Sequence, residues 1–162
     1  MSCMAEPTQE HQWLQQFVGE WSYESECLMG PDQPPMKFSG TESVRSIGDL
    51  WVMGEGQGEM PGETPATMII TLGYDPQQQR FVGTWIGSMM THLWIYDGWL
   101  DAERKILTLE SEGPDMEVEG KMAKYRDVFE IKSDGHRVLT ASVLGEDGQW
   151  NRFMTTHYRR QV

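Results

Sequence analysis

The segment KYRDVFEIKSDGH, residues 124–136, decides the fold class. Its side chains alternate, so that one face carries Tyr125, Asp127, Phe129 and Ile131 and the other carries mostly charged groups. A period of two residues is typical of a β-strand with one buried face. The Asp-Gly pair near its end is a residue choice typical of a tight β-hairpin turn. The segment therefore predicts a strand that turns back and pairs antiparallel with the next one.

The same pattern continues along most of the chain. Between residues 20 and 160, alternating runs of roughly eight residues are separated by Gly, Pro, Asp and Asn. One helix precedes them, with Thr8 as a candidate N-cap, apolar side chains at helical spacing, and Gly19 at its end. The sequence predicts this helix over residues 8–18 and then about ten antiparallel strands joined by hairpins.

Two architectures fit sequential antiparallel hairpins, a sandwich and an up-and-down barrel. Short connections favour the barrel, and so do predicted inner faces that mix aromatic, small and polar residues. A barrel of this size has room for one small ligand. We therefore predict a mainly β fold, an antiparallel up-and-down barrel of about ten strands with a short N-terminal helix. The expected single domain spans 1–162, with a disordered tail at 1–7, the helix at 8–18, the barrel at 20–160, and rim loops at 29–35 and 59–65.

Composition narrows the class of partner. The chain has 13 Lys and Arg residues against 25 Asp and Glu residues, a formal net charge of −12. Nucleic acids and anionic membranes are bound chiefly through basic patches, so we expect neither as a partner. The apolar runs are too short to span a membrane, and the opening residues lack the basic and apolar regions of a signal peptide. Only Cys3 and Cys27 are present, and we expect no structural bridge between them. These features predict a cytoplasmic protein.

Seven short motifs carry a family resemblance. VGEW at 18–21 resembles the Gly-x-Trp start of lipocalin-like (calycin) barrels, in which the Trp plugs the closed end. The other motifs are LGYD at 72–75, GTWI at 83–86, THLW at 91–94, GPD at 113–115, YRDV at 125–128 and YRR at 158–160. Together they resemble the DUF1579 family over residues 10–160. The resemblance implies the barrel fold and, because the family has no established activity, no function. The chain departs from the family at Gly87, where members often carry Asp.

Two carboxylates lie on strand faces that are otherwise apolar. Glu42 shares a face with Phe38 and Val44, and Asp127 lies on the face described above. A carboxylate turned into an apolar cavity has a raised pKa, which is the condition for general acid or base catalysis at neutral pH. Alternatively, both groups pair with an interior Arg or Tyr and only satisfy the polar part of the barrel interior.

The strand near residue 94 carries the predicted anchor of a ligand. His92 shares a face with Trp94 and Tyr96, and we predict that this face is the inner one because rows of large aromatic side chains are costly to expose. His92 would then offer a donor and an acceptor to a bound molecule. The many Trp and Met residues either fill the core or line a pocket for an apolar ligand. The predicted ligand-binding residues are Trp85, Met89, His92, Trp94, Tyr96, Tyr125 and Asp127.

Other motifs favour structural roles. The GEGQGE run at 54–59 matches no nucleotide-binding fingerprint, and we interpret it as a Gly-rich strand end that bends at the barrel rim. The acidic run at 110–119 is typical of a solvated face, with calcium binding as the alternative. We predict no metal site and no cofactor. Barrels of the nitrobindin type resemble this topology and hold haem through a single His, and on that resemblance His157 would be the haem ligand.

These observations leave three hypotheses about function. The first is a binding protein, without catalysis, that holds a small hydrophobic or amphipathic molecule inside the barrel. The second is an enzyme of the isomerase or hydrolase type that uses Glu42, His92 or Asp127 on an apolar substrate. The third is an interaction protein that forms a homodimer through its strand edges or its Met-rich rim.

Overall fold

The computed structural model describes residues 4–60 and 64–161. They begin with the helix α1 (Gln9–Leu14) and a 3₁₀ turn (Gln15–Phe17). The ten strands that follow are β1 (Gly19–Cys27), β2 (Met36–Ile47), β3 (Trp51–Met60), β4 (Thr64–Asp75), β5 (Arg80–Gly87), β6 (Trp94–Leu100), β7 (Ile106–Pro114), β8 (Met122–Ser133), β9 (His136–Leu144) and β10 (Trp150–Arg160). None of the helical segments within this part of the chain is long and apolar enough to cross a membrane.

The strands close into one antiparallel barrel. Their order around the ring follows the sequence, and β1 completes it by pairing with β10 from Trp21↔Arg160 to Cys27↔Met154. The predicted up-and-down barrel with a short N-terminal helix is confirmed. The period of two decides which side chains point inward, so that on β8 the Tyr125 side chain is buried while the preceding Lys124 is exposed.

The helix predicted over residues 8–18 is α-helical only over Gln9–Leu14 and continues as the 3₁₀ turn Gln15–Phe17. Its N-cap is Thr8, whose side chain accepts from His11 N while Thr8 N donates to His11 Nδ1 at 2.9 Å. This capping box satisfies two backbone N–H groups that a helix start would otherwise leave unpaired. Leu14 is fully buried in the barrel core.

Trp21 and Arg160 fasten this helical segment over one end of the barrel. Trp21 Nε1 donates to the Phe17 carbonyl at 2.9 Å. The Arg160 guanidinium lies 4.3 Å from the centre of the Trp21 ring and donates to the Val18 and Gln16 carbonyls at 2.7 and 3.0 Å. These bonds satisfy carbonyl groups at the helix end. The Trp of the Gly-x-Trp motif thus plugs the closed end, as the family resemblance implied.

The opposite end of the barrel is surrounded by the longer connections. At the closed end the turns span 48–50, 76–79, 101–105 and 134–135, whereas the described open-end loops span 28–35, 88–93, 115–121 and 145–149. The rim loop predicted at 59–65 is shorter, because β3 continues to Met60 and β4 begins at Thr64. Residues 61–63 lie outside the described residues, as do residues 1–3 of the predicted tail, which include Cys3. Cys27 is a free thiol at the open end of β1.

Replacing Leu14 by Ala tests whether the helix is part of the barrel core. Since the side chain is 0% exposed, we expect the substitution to lower the free energy of unfolding by about 2–5 kcal/mol. Gln12→Ala is the control, because Gln12 lies on the exposed side of α1 and its replacement is expected to change stability by less than about 0.5 kcal/mol. Urea denaturation of the three proteins measures both effects, and equal stabilities would contradict the packing described.

Candidate ligand-binding cavity

The barrel encloses a cavity of about 410 Å³. It extends from Phe17 at the closed end to Met89 and Met116 in the open-end loops. Its wall is formed by inward-facing side chains of the strands, most of them apolar. A volume of this order is in the range of pockets that hold small molecules.

The inner face of β3 creates much of this space. Gly54 and Gly56 are buried there, and Gly58 continues the same row, so the strand contributes almost no side-chain volume at these positions. A Cβ atom at Gly54 would lie 3.1 Å from Glu42 Oε2, and one at Gly58 would collide with the Tyr23 hydroxyl. The interpretation of this run as a strand end bending at the rim is therefore wrong. The glycines lie within β3 and leave room for inner-face neighbours and for the cavity.

Methionine side chains dominate the outer half of the cavity. Seven of the 12 Met residues of the chain line it, namely Met29, Met36, Met68, Met89, Met90, Met116 and Met154. Unbranched, polarizable thioethers adapt to irregular apolar shapes. Trp85 and Trp94 lie beside them, and Trp94 Nε1 donates to Met90 Sδ at 3.0 Å. Met53 belongs to the outer face instead, where Arg45 Nη2 approaches its sulfur at 3.9 Å.

An ion pair lies at the deep end of the cavity. Arg137 Nη2 donates to Glu42 Oε1, and the two side chains are only 3% and 9% exposed. The guanidinium carbon lies 4.1 Å from the Tyr158 ring centre and 4.4 Å from that of Trp21. Arg137 Nε and Nη1 find no hydrogen-bond partner among the described residues, so the aromatic rings supply their electrostatic surroundings. Glu42 is thus committed to a buried cation.

Asp127 has a different environment. The Tyr96 hydroxyl donates to Asp127 Oδ2 at 2.6 Å, and both residues line the cavity. Burial raises the pKa of Asp127 to about 6, although the hydrogen bond from Tyr96 acts in the opposite direction. Burial also raises the pKa of Tyr96, and the charge of Asp127 adds to that increase. Asp127 is thus a carboxylate with a pKa of about 6 inside an apolar cavity, held in place by the hydrogen bond from Tyr96.

Most predicted ligand-binding side chains line this one cavity. Trp85, Met89, Trp94, Tyr96, Tyr125 and Asp127 all belong to its wall, and Glu42 lies deeper in it. Their contact with a ligand stays a prediction. The pairing considered as the alternative for the two interior carboxylates is present in both cases, with Arg137 for Glu42 and Tyr96 for Asp127.

The prediction that His92 lies inside the barrel is wrong. Trp94 and Tyr96 point inward as predicted, and Ile95 is 64% exposed, but His92 precedes the start of β6 and does not line the cavity. Its Nε2–H donates to the Glu112 carbonyl at 3.0 Å, and its ring packs against Trp94 at the rim. The alternation of faces holds only within the pleated strand, and residue 92 lies before it.

His157 is also misplaced for the role that the haem resemblance would give it. It lies on the outer face of β10, between the inward-facing Thr156 and Tyr158, and its Nδ1 is 3.0 Å from His136 Nε2. A haem held inside the barrel would not reach it. The three candidate catalytic groups therefore do not converge. His92 is at the rim, and Glu42 lines the deep end of the cavity but is paired with Arg137. Asp127 lines the cavity without such an ion pair.

The acidic run at 110–119 does not form a cation site. Glu110 pairs with Arg126 on the outer wall at 2.6 Å. Asp115 Oδ1 accepts from Glu117 N and Val118 N within a loop, and these bonds lower the pKa of Asp115. Within residues 4–60 and 64–161, no group of three or more His, Cys, Asp or Glu side chains is placed to hold a metal ion.

Arg137 is the functional candidate that sequence reasoning missed. It lies on β9 with Leu139 and Ala141 on the same inward face. A charged residue in register with apolar inner positions is the same signal that identified Glu42 and Asp127. This pattern of alternation identifies Arg137 as an inner-face charge. It does not predict that Arg137 pairs with Glu42, because 95 residues separate the two in the sequence.

Removing the charge of Glu42 tests the buried ion pair. Glu42→Gln leaves the Arg137 cation uncompensated, so we expect a loss of about 3–5 kcal/mol in the free energy of unfolding. A second substitution, Arg137→Met, removes the stranded charge and should restore part of that loss. Glu110→Gln is the matched control at a half-exposed ion pair, with an expected loss below about 1 kcal/mol. Equal losses for the two Glu→Gln variants would contradict the assignment.

The pH dependence of stability tests the environment of Asp127. The pKa of Asp127 is raised to about 6 in the folded protein. At low pH the side chain is protonated in both the folded and the unfolded state and does not lower the free energy of unfolding. As the pH rises from about 4 to about 6, ionisation favours the unfolded state, so the free energy of unfolding falls. Asp127→Asn removes this penalty. We expect the variant to be more stable than the wild type by about 2–3 kcal/mol at pH 7.5, and the difference to vanish below pH 4. Urea denaturation at several pH values measures it, and a difference independent of pH would contradict the raised pKa.

Several solved structures share this barrel fold. Rv2717c from M. tuberculosis matches with a TM-score of 0.65 at 10% identity, over 97% of this chain and 100% of its own. The S-type phycobiliprotein lyase CPES from Guillardia theta matches with a TM-score of 0.57 at 9% identity, over 96% and 99%. A redesigned β-barrel matches with a TM-score of 0.50 at 10% identity, over 98% and 100%. At these identities the likeness concerns the fold alone.

No curated protein sequence matches the chain. The model of a family described as "Protein of unknown function (DUF1579)" matches residues 6–160, which is nearly the whole chain. The protein therefore belongs to the DUF1579 family, as the sequence motifs indicated.

Proposed function

We propose that this protein binds a small hydrophobic or amphipathic molecule inside its barrel and catalyses no reaction on it. The observation that carries the proposal is the cavity of about 410 Å³, lined by apolar side chains with a few polar groups among them. Binding sites for small molecules have this composition, since apolar walls supply affinity and a few placed polar groups supply orientation. A barrel that only needed a stable core would fill this space with side chains.

The open end supports entry of an apolar molecule. The large hydrophobic side chains exposed at or near it are Leu28, Met29, Ile86, Met89, Met90, Leu93, Ile95, Met116, Val118 and Met122. Apolar surface of this extent at the mouth of a cavity is typical of an interaction or ligand-entry site. A homodimer would cover the same rim, and sedimentation at low micromolar concentration tests that prediction.

A catalytic function has narrower support. Of the three candidate groups, Asp127 alone combines access to the cavity with a pKa of about 6, which suits a general acid or base. Glu42 is engaged by Arg137, and His92 lies outside the cavity. Binding therefore explains more of the arrangement than catalysis does, because it uses the whole wall and needs no second reactive group. The similarity to the phycobiliprotein lyase concerns the fold alone, so the choice between binding and catalysis rests on the chemistry of the site.

Blocking the cavity tests the proposal. Ser111 lines the cavity on β7, so Ser111→Phe places an aromatic ring in the ligand space, while Ser39→Phe makes the same change on the exposed outer face of β2. We expect the neutral apolar probe N-phenyl-1-naphthylamine to bind the wild type and quench Trp85 and Trp94. Ser111→Phe should weaken binding by about tenfold or more, and Ser39→Phe should leave it unchanged.

Native mass spectrometry of protein purified from cells provides the second measurement. A co-purified small molecule, retained by Ser39→Phe and lost from Ser111→Phe, is the expected result. A wild-type protein that arrives empty and ignores a panel of apolar probes would overturn the proposal.

A further inference from the structure

We propose that Asp127 receives a positively charged headgroup, and that the molecule taken up by the barrel is a cationic amphiphile, an apolar body carrying a protonated amine. This inference rests on the proposed function and specifies the class of ligand. Three features of the described residues support it: the open oxygen of Asp127, the lack of a compensating cation beside it, and the acidic rim.

The first feature is the geometry of the carboxylate. The Tyr96 hydroxyl donates to Asp127 Oδ2 at 2.6 Å, while no donor among residues 4–60 and 64–161 reaches Asp127 Oδ1. Asp127 is half-buried, and its accessible part faces the cavity that it lines. The Tyr96 hydroxyl thus fixes the orientation of the carboxylate and leaves one oxygen free for a donor brought by a ligand.

The second feature is the missing counter-charge. Among the described residues, the titratable and charged groups that share this interior with Asp127 are Tyr23, Cys27, Glu42, Tyr96, Tyr125, Arg137 and Tyr158. The single cation in this group, Arg137, lies deeper, is paired with Glu42 and is enclosed by aromatic rings. Ionised Asp127 therefore leaves an uncompensated negative charge in an apolar cavity, and such a charge costs stability unless a cation neutralises it. A ligand ammonium group would supply that cation.

The third feature is the charge of the rim. The described open-end loops contain six carboxylates, Asp32, Asp115, Glu117, Glu119, Glu146 and Asp147, against the single ammonium group of Lys121. Lys121 is itself paired with Glu146 at 2.8 Å. Together with the net charge of −12, this rim attracts cations and repels anions at the entrance. Fatty acids and other anionic amphiphiles are therefore the wrong class for this cavity.

Three ligands with the same apolar chain and different headgroups distinguish the contribution of the headgroup to affinity from that of the tail. Decylamine is a cation, decanol is neutral and decanoate is an anion at pH 7.5, and each is titrated into the wild type by competition with N-phenyl-1-naphthylamine. We expect decylamine to bind most tightly and decanoate most weakly. Asp127→Asn should weaken decylamine by about tenfold or more and leave decanol within about twofold, since a charge-assisted hydrogen bond is lost only with the amine.

Glu24→Gln is the matched control. It removes one carboxylate from the exposed outer face of β1 and leaves the cavity unchanged, so we expect wild-type affinity for all three ligands. Thermal denaturation verifies that each variant is folded. Wild-type affinity for decylamine in folded Asp127→Asn, or equal affinity of the wild type for the three ligands, would overturn the inference while the proposed binding function stands. Failure of all three ligands to bind would overturn both.

The pH dependence of decylamine affinity distinguishes a binding role of Asp127 from a purely structural one. We expect decylamine to bind the wild type about tenfold more weakly at pH 5 than at pH 7.5, because Asp127 becomes protonated while the amine stays charged. At the rim, Asp115 and Glu146 have lowered pKa values and stay ionised over this range. Decanol should bind equally at both pH values. A fall in affinity that persists in Asp127→Asn would show that another group is responsible and would overturn the assignment.

Tyr96→Phe tests the positioning role of Tyr96. The hydrogen bond from Tyr96 lowers the pKa of Asp127, so its removal should raise that pKa and move the loss of decylamine affinity to higher pH. Affinity should recover only at a pH higher than the wild type requires. An unchanged pH profile would contradict the positioning role.

Discussion

The pairing of β1 with β10 is the constraint on which the rest of the structure depends. From Trp21↔Arg160 to Cys27↔Met154, it joins the first strand to the last and turns an open sheet into a ring. Closure removes the unpaired edges that an open sheet would expose. It also converts the alternation of each strand into an inside and an outside. Trp21 and Arg160 then tie the helical segment over one end, and the cavity extends from there to the loops at the other end.

The interior contains charged groups in two different settings. Glu42 and Arg137 neutralise each other and are surrounded by aromatic rings. Asp127 accepts a hydrogen bond from Tyr96 and has no opposite charge beside it in the part of the chain that the structure describes, and burial raises its pKa. An Asn at this position would keep a hydrogen-bond acceptor without the cost of burying a charge. The raised pKa of Asp127 therefore supports the proposed role in ligand binding more than a role in the fold.

Local pattern predicted much of the site and failed at identifiable positions. Alternation placed Glu42, Tyr96 and Asp127 correctly inside, because each lies within a regular strand. It failed for His92, which lies before β6 begins and so lies outside the pleat. The glycine row of β3 also has a period of two, but a glycine has no side chain to mark which face is buried, so the sequence predicts a bend at the rim where the structure has a regular strand.

The sequence by itself determined the strands, the order in which they turn, and the face on which most side chains lie, since these follow from the two-residue repeat of an extended backbone and from the Gly and Asp residues at the turns. Only the tertiary structure decided which side chains meet. Arg137 contacts Glu42 across 95 residues and Tyr96 contacts Asp127 across 31. Such pairs depend on the register of every strand between them and on closure of the ring. A one-residue slip in the register of a strand would turn its carboxylate from the cavity to solvent.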